Sequence, residues 1–410
     1  MLNVVILNGG RGAAALIPAL LSRQGVNVTS VINAYDDGRS TGEIRRFFGM
    51  LGPSDIRKVQ ELMLPADNPD HHGHLQLFQY RFPAGSDRKL ILEALRQFGL
   101  GLREDLVGVR LNDDTVRSRL ESFISEFVAG LSAIEQVMGE EFDFSDCAIM
   151  NCIYAGAFLV FNRNIEQATH CIDKLFNLRG TVLPTSIENK KLVALRENGE
   201  VLYSEAEIVE LRSNARVERI YLLDTPLEKA RFDILSLEEK RYYLSRHHCY
   251  VAVSPGVRRA LEEADIIIYS AGTQHSSLYP TYLSTGLART IADNRSAFKI
   301  FVTNIGADYE TPSYKASDYI RGAHRYLNFS EQRKFEMSDL FDVVFVNSSC
   351  RKTDESYVEF DEAGFLDIPV RLVVGDFESQ EAPGKHDGFR LVHFLLGMYA
   401  EISANRVLGK

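Results

Sequence analysis

The chain opens with a nearly continuous apolar run, Leu2 to Leu7, that stops at Asn8-Gly9-Gly10. A helical spacing of apolar positions follows from about Ala13 to Arg23, and a second apolar run spans Val28 to Ile32. Strand, helix and strand in that order form a βαβ unit, which implies parallel pairing. Comparable runs recur at Ile220–Leu223, Ile266–Tyr269, Lys299–Val302, Val343–Val346 and Arg371–Val374, each followed by a polar or glycine-bearing loop. Helical periodicity fits between several of them, as at Val257–Glu263 and Ser317–Tyr326. The expected fold class is α/β: a Rossmann-like, doubly wound, mostly parallel sheet, with ligands bound at the carboxyl ends of the strands.

Between about Ile56 and Leu178 the strand rhythm stops. Lys89–Phe98, Thr115–Val137 and Ala148–Phe161 carry helical patterns. The expected division is therefore a nucleotide-binding core from residues 1–60 and 180–410, with a helical insertion over 61–179 capping the site. Short strands return over Val182–Val209, with a hairpin turn at Arg196–Glu200. Phe389–Met398 reads as a docked C-terminal helix.

Composition narrows the classes. The 410 residues are 45% hydrophobic and 25% charged, which suits a folded enzyme-like chain and excludes a disordered one. A net charge of −10 argues against nucleic acid as a partner. No apolar stretch reaches membrane-spanning length, and the Leu2–Leu7 run lacks the basic leader and length of a signal peptide. Five scattered cysteines without a CxxC pair point to a reducing cytoplasm. The charge is uneven, however. Residues 1–60 hold seven basic and four acidic side chains, a net +3 that leaves −13 for the rest and suits a small anionic ligand.

Chemistry concentrates in three loops. Asn8-Gly9-Gly10-Arg11-Gly12 lies between the first strand and helix, where glycine backbone and free helix N–H groups suit a phosphate. Gly10, Gly12 and Ala15 also satisfy GxGxxA with acids about twenty residues on, so a nicotinamide dehydrogenase is a reading of this loop too. Asp36-Asp37-Gly38 and Gly52-Pro53-Ser54-Asp55-Ile56-Arg57 follow. Paired carboxylates beside glycines and hydroxyls suit Mg²⁺ against a diphosphate, with Arg57 facing phosphate. His71, His72 and His74 read as a solvated loop, and no GxSxG elbow occurs.

Taken in order, Gly-Gly-x-Gly, Asp36-Asp37-Gly, Gly-x-x-Asp55-Ile-Arg57 and Leu77-Phe78-Gln79-Tyr80-Arg81-Phe82 resemble the CofD/YvcK family. Val182-Leu183-Pro184-Thr185, Ala264-Asp265, Ser277-Leu278-Tyr279-Pro280-Thr281 and Thr303-Asn304 extend the resemblance over nearly the whole chain. It implies that Gly10 and Gly12 cradle phosphates, Asp37 and Asp55 hold Mg²⁺, Asn151 reaches ligand from the insertion, and Tyr279 and Asn304 lie at strand ends on the ligand side. Three departures fall where substrate is chosen, one of them a segment between Phe82 and Asn151 inserted relative to short family members. Arg11 replaces the threonine of Gly-Thr-Gly, and Ser270-Ala271-Gly272 stands in place of Gly-Pro-Gly.

The leading expectation is a Mg²⁺-dependent transferase. It would move a phosphoryl-linked moiety from a nucleoside-diphosphate-activated donor to a small-molecule acceptor hydroxyl, with Asp36 as a general-base candidate. The alternative is a YvcK-like regulatory protein of carbon metabolism and cell shape that binds a nucleotide sugar such as a UDP-sugar without catalysis. A homodimer is one assembly this reading allows.

Overall fold

The computed structural model describes residues 1–351 and 356–408, with Arg11 and residues 405–408 described by their backbone. Strands β1 (Leu2–Asn8) and β2 (Val26–Ile32) pair in parallel, with Leu2 opposite Val26 and Asn8 opposite Ile32. β3 (Thr181–Pro184) extends the sheet beyond β2. β4 (Lys191–Arg196), β5 (Val201–Leu202) and β6 (Val217–Leu223) form a separate antiparallel sheet ordered β5-β4-β6. β7 (Ile266–Tyr269), β8 (Phe298–Val302), β9 (Val343–Asn347) and β10 (Arg371–Gly375) return to the main sheet. Its order is β3-β2-β1-β7-β8-β9-β10, all parallel.

The sheet therefore grows one way from β1 to β3 and the other way from β7 to β10. The topological switch point lies between β1 and β7, where open α/β sheets leave a crevice beyond the carboxyl ends of the strands. Val4 to Leu7 and Ile266 to Tyr269 are buried, because helices cover both faces of a parallel sheet. That two-sided burial is why these strands read as unbroken apolar runs.

The helices of the first half are α1 (Leu16–Leu21), α2 (Arg39–Phe48), α3 (Ser54–Leu62), α4 (His71–Gln79), α5 (Arg88–Gly99), α6 (Asp114–Met138), α7 (Ile149–Val160) and α8 (Ile165–Leu175). Asp113 caps α6 by accepting from Thr115 N and Val116 N, and Gly139 ends it in the left-handed region. α7 is buried from Ile149 to Phe158, so its sequence is apolar on every face. The C-terminal helix, Gly388–Leu408, packs on α1.

Four expectations change. Ile220–Leu223 belongs to β6 in the antiparallel sheet and not to the main sheet. Its two faces serve two cores: Ile220 and Leu222 join the main one, while Tyr221 and Leu223 pack with Phe232 and Leu244. A strand buried on both faces carries the same apolar run whichever way it pairs. The helix expected from Ala13 is shorter, because Gly12 N donates to Gly9 O at 2.7 Å and closes a 3-10 turn over Gly10–Ala13 first. His71–His74 begins α4, with His74 buried edge-on against Phe176. Glu205–Glu210, within the segment expected to hold only strands, is a helix, α9, capped by Ser204.

Candidate functional site

All three sequence loops meet at the switch point. Gly10 has φ +35°, and a Cβ there would sit 2.6 Å from Asp55 Oδ1. Asp55 thus lies directly against the glycine loop, a contact available only without a side chain. Gly12 abuts the Ala271 carbonyl and Gly9 abuts Ser277, both in the segment after β7. Gly52 N donates to Ala34 O at 2.8 Å, which draws the Asp55 loop onto the loop after β2.

The acids are held by the protein's own donors. Asp36 accepts from Gly38 N and Thr41 Oγ1, both at 3.1 Å. Asp37 accepts from Ala206 N at 3.0 Å, and burial raises its carboxyl above the usual range. Asp55 pairs with Lys58 at 2.7 Å and is also raised by burial. Asn304 closes the far side: it accepts from Gly272 N at 2.9 Å and returns Nδ2 to Gly272 O at 3.0 Å. Asn8 is fully buried, its amide donating to Ser30 Oγ at 2.6 Å. Asn151 is equally buried and donates to Ser40 Oγ at 3.0 Å in the first turn of α2, beside the acid loop.

Tyr279 stands elsewhere than at the strand end the resemblance implies, and Arg57, expected to face phosphate, is engaged by a carbonyl. Tyr279 opens a short helix, with its ring stacked on Tyr326 at 4.2 Å and its hydroxyl against Gly322. It is enclosed in the core under helix Ala316–Leu327. Arg57 is buried and donates to the Phe78 carbonyl at the end of α4, with Asp55 and Asp36 in electrostatic reach. The Arg11 side chain lies outside the described parts.

The local positive charge is largely consumed internally. Arg45 is 1% exposed and binds Tyr35 O, Asp36 O, Asn189 Oδ1 and Lys190 O. Arg46 pairs with Glu43 and Glu140. Net charge along the sequence overstates what is available to an anion; of these cations, exposed Arg39 at the start of α2 stands beside the acid loop.

Two carboxylates to which sequence reading gave no role complete the arrangement. Glu205, the first residue of α9, accepts from Asp37 N at 3.5 Å; burial, then Asp36, Asp55 and Asp37, push its carboxyl up to about 9. Glu310 accepts from His275 N and Ser276 N at 2.9 Å and from Ser276 Oγ at 2.5 Å, while burial and Asp308 push it up to about 8. Ser204-Glu205-Ala206-Glu207 carries an ordinary helix-start signature, which masks the role of the first acid. Among the described residues, no three His, Cys, Asp or Glu side chains gather as a metal site.

Glu205 makes stability depend on pH. Its folded value lies above its ordinary 4.5, so unfolding releases a proton between that value and about 9, and stability falls as pH rises through this window. Glu205→Gln is expected to stabilise the protein by about 1 kcal/mol or more at pH 8 and by little at pH 4. Urea unfolding at both pH values checks this; a gain independent of pH contradicts it.

Fold and site together define a Rossmann-like α/β protein with acidic side chains gathered at the switch point of a parallel sheet. A profile of the 2-phospho-L-lactate transferase CofD family matches residues 4–377, and the chain belongs to this family. It is 24% identical over 404 residues to the putative gluconeogenesis factor of Thermotoga maritima, covering 95% of this chain and 97% of that one. It is also 24% identical over 387 residues to the gluconeogenesis factor of Listeria monocytogenes, covering 92% and 89%. A crystal structure of a Bacillus halodurans protein superposes with a TM-score of 0.67 at 18% identity, over 97% of this chain and all of that one. Among the described residues, no helix is long and apolar enough to cross a membrane.

Proposed function

We infer that the protein is a binding and regulatory protein of the gluconeogenesis-factor type, which holds a nucleotide sugar in the switch-point crevice without breaking a bond in it. The observation that carries this reading is the engagement of the acids. Asp36, Asp37 and Asp55 each have a protein donor, which suits a fixed cradle better than a group that must take up and release protons. The end-to-end likeness to proteins named gluconeogenesis factors supports a link to carbon metabolism.

Mg²⁺ fits the donor set in its usual manner, since it is commonly held by one or two carboxylates together with ligand phosphates and water. Asp37 and Asp55 would hold it, and it would supply charge neutralisation for a diphosphate. Gly10 and Gly12 would give the phosphates close backbone approach, and Arg39 would add the exposed cation. Phosphoryl-linked transfer is the second reading, favoured by the family's description alone.

Calorimetric titration with a panel of nucleotide sugars, with and without Mg²⁺, is expected to show saturable binding and no nucleoside monophosphate by chromatography. Asp55→Asn should weaken that binding at least tenfold, about 1.4 kcal/mol. Nucleoside monophosphate that accumulates in proportion to an added alcohol establishes the transferase instead. Full-strength Mg²⁺-dependent binding by the variant removes Asp55 from the site.

A further inference from the structure

The segment from Tyr80 to Val107 encloses a second feature, apart from the crevice: a cavity of about 340 Å³. That lies within the range of about 300–1,000 Å³ common to small-molecule sites. Phe82, Ile91, Leu95, Leu106 and Val107 wall it, and Leu90 forms its rim. The first four are buried, whereas Leu90 is 70% exposed. Water inside such walls has few polar partners, so an apolar occupant gains by displacing it.

The roof supplies an independent observation. Asp105–Leu106 and Val109–Arg110 form a small antiparallel hairpin with Leu106 opposite Val109. Its turn residues Val107 and Gly108 have φ +50° and +82°. A two-residue turn with both central residues left-handed favours Asn at the first position, and a β-branched side chain there is strained. Among the described residues, Val107 is the one β-branched residue with positive φ. The sequence thus sets valine against the turn's own preference, and the side chain gained by that choice lines the cavity.

The polar edge defines the other end of the ligand. Arg103 donates Nε and Nη2 to Asp105 at 3.3 and 2.8 Å, which cancels its charge and leaves Nη1 to donate elsewhere. Ser86 Oγ already donates to Pro83 O at 2.8 Å. The Asp87 carboxylate, which accepts from Lys89 N at 2.8 Å, also lines this edge, so the edge offers a donor beside negative charge, which suits a neutral carbonyl oxygen and not an anion.

We propose that this cavity binds an uncharged, largely apolar small molecule with one hydrogen-bond acceptor at the Arg103 end. The site is separate from the crevice and does not rest on the nucleotide-sugar reading. The two share one helix, however. Ile149 N donates to Tyr80 O at 3.2 Å and Phe82 N to Cys147 O at 2.9 Å, so the cavity wall is tied to the start of α7, which carries Asn151 to Ser40.

Titrating the full chain with N-phenyl-1-naphthylamine, a neutral apolar fluorophore, tests the proposal. The expected result is a saturable fluorescence rise at one probe per chain, reversed by 2-nonanone and not by nonanoate. Ala94 lines the cavity and is half-buried; Ala94→Phe fills the space and should weaken binding at least tenfold. Val107→Asn, which relaxes the turn, should weaken binding several-fold while the melting temperature holds or rises. It decides the matter if the Phe variant loses its native circular dichroism. Absence of saturable binding to the unaltered chain, or unchanged affinity in the folded variants, overturns the site. Displacement by nonanoate as effective as by the ketone overturns the assignment of an uncharged ligand.

Discussion

Arg45→Met is expected to lower the unfolding free energy by about 3–5 kcal/mol and to abolish nucleotide-sugar binding. The guanidinium is fully buried in the body of α2 and grips two segments far apart in sequence. Nη1 donates to Tyr35 O at 2.6 Å and Asp36 O at 3.2 Å, while Nη2 donates to Asn189 Oδ1 at 2.7 Å and Lys190 O at 2.6 Å. Methionine of similar length fills much of the space but donates nothing, so the buried Tyr35 carbonyl and three part-buried acceptors lose their partner at once. Each such bond to a charged donor contributes about 1.5–3 kcal/mol, and bonds sharing one donor group do not add fully. Burial lowers the guanidinium's proton affinity, yet arginine stays charged in proteins. The acid loop is lost with its anchor. The neighbour supplies the control: Arg46, exposed and paired with Glu43 and Glu140, should cost within about 1 kcal/mol when replaced by methionine. Equal urea midpoints for the two variants would remove Arg45 from its structural role.

The second large effect concerns the crevice itself. Gly12→Val should destroy ligand binding by at least a hundredfold and cost about 1–3 kcal/mol of stability. A Cβ at Gly12 would lie 2.4 Å from the Ala271 carbonyl oxygen. That neighbour is backbone, fixed by β7 behind it, so it cannot swing aside as the end of a side chain would. The added methyls push the glycine loop away from the loop after β7, and the two walls of the switch point separate. Gly272→Ala, across the same gap, meets its nearest neighbours at 3.7 Å and should bind nearly as the parent does. Calorimetry on both variants, beside circular dichroism, separates a misplaced loop from a lost fold. Normal binding by the valine variant would place the ligand elsewhere.

The central parallel strands were legible because each is buried on both faces, which demands an unbroken apolar run, whereas the edge strand Arg371–Gly375 keeps an apolar run while part-exposed. The same rule misled at Ile220–Leu223, where two different cores supply the burial. The three loops were legible by residue type, and their convergence follows from strand order alone, since each leaves the carboxyl end of a strand or the segment just beyond. Glu205 was not, because it arrives from a distant segment under a local pattern that explains it otherwise. Glu205 reads as a first-turn helix acid, yet the structure sets it against Asp37, 168 residues away.

By itself, the sequence determined a Rossmann-like parallel sheet, a glycine loop after its first strand, and acids at the ends of the next segments. These depend on local spacing, on which faces a strand must bury and on where glycine alone fits. Tertiary structure decided which charges remain available. Arg45 and Arg57 turned inward to carbonyl oxygens, Arg46 and Lys58 paired with carboxylates, and two glutamates entered from afar. Charge availability is set by burial and by partners that the fold brings in, from Asp55 beside Lys58 to Asn189 on Arg45, and burial is not written into the local order of residues.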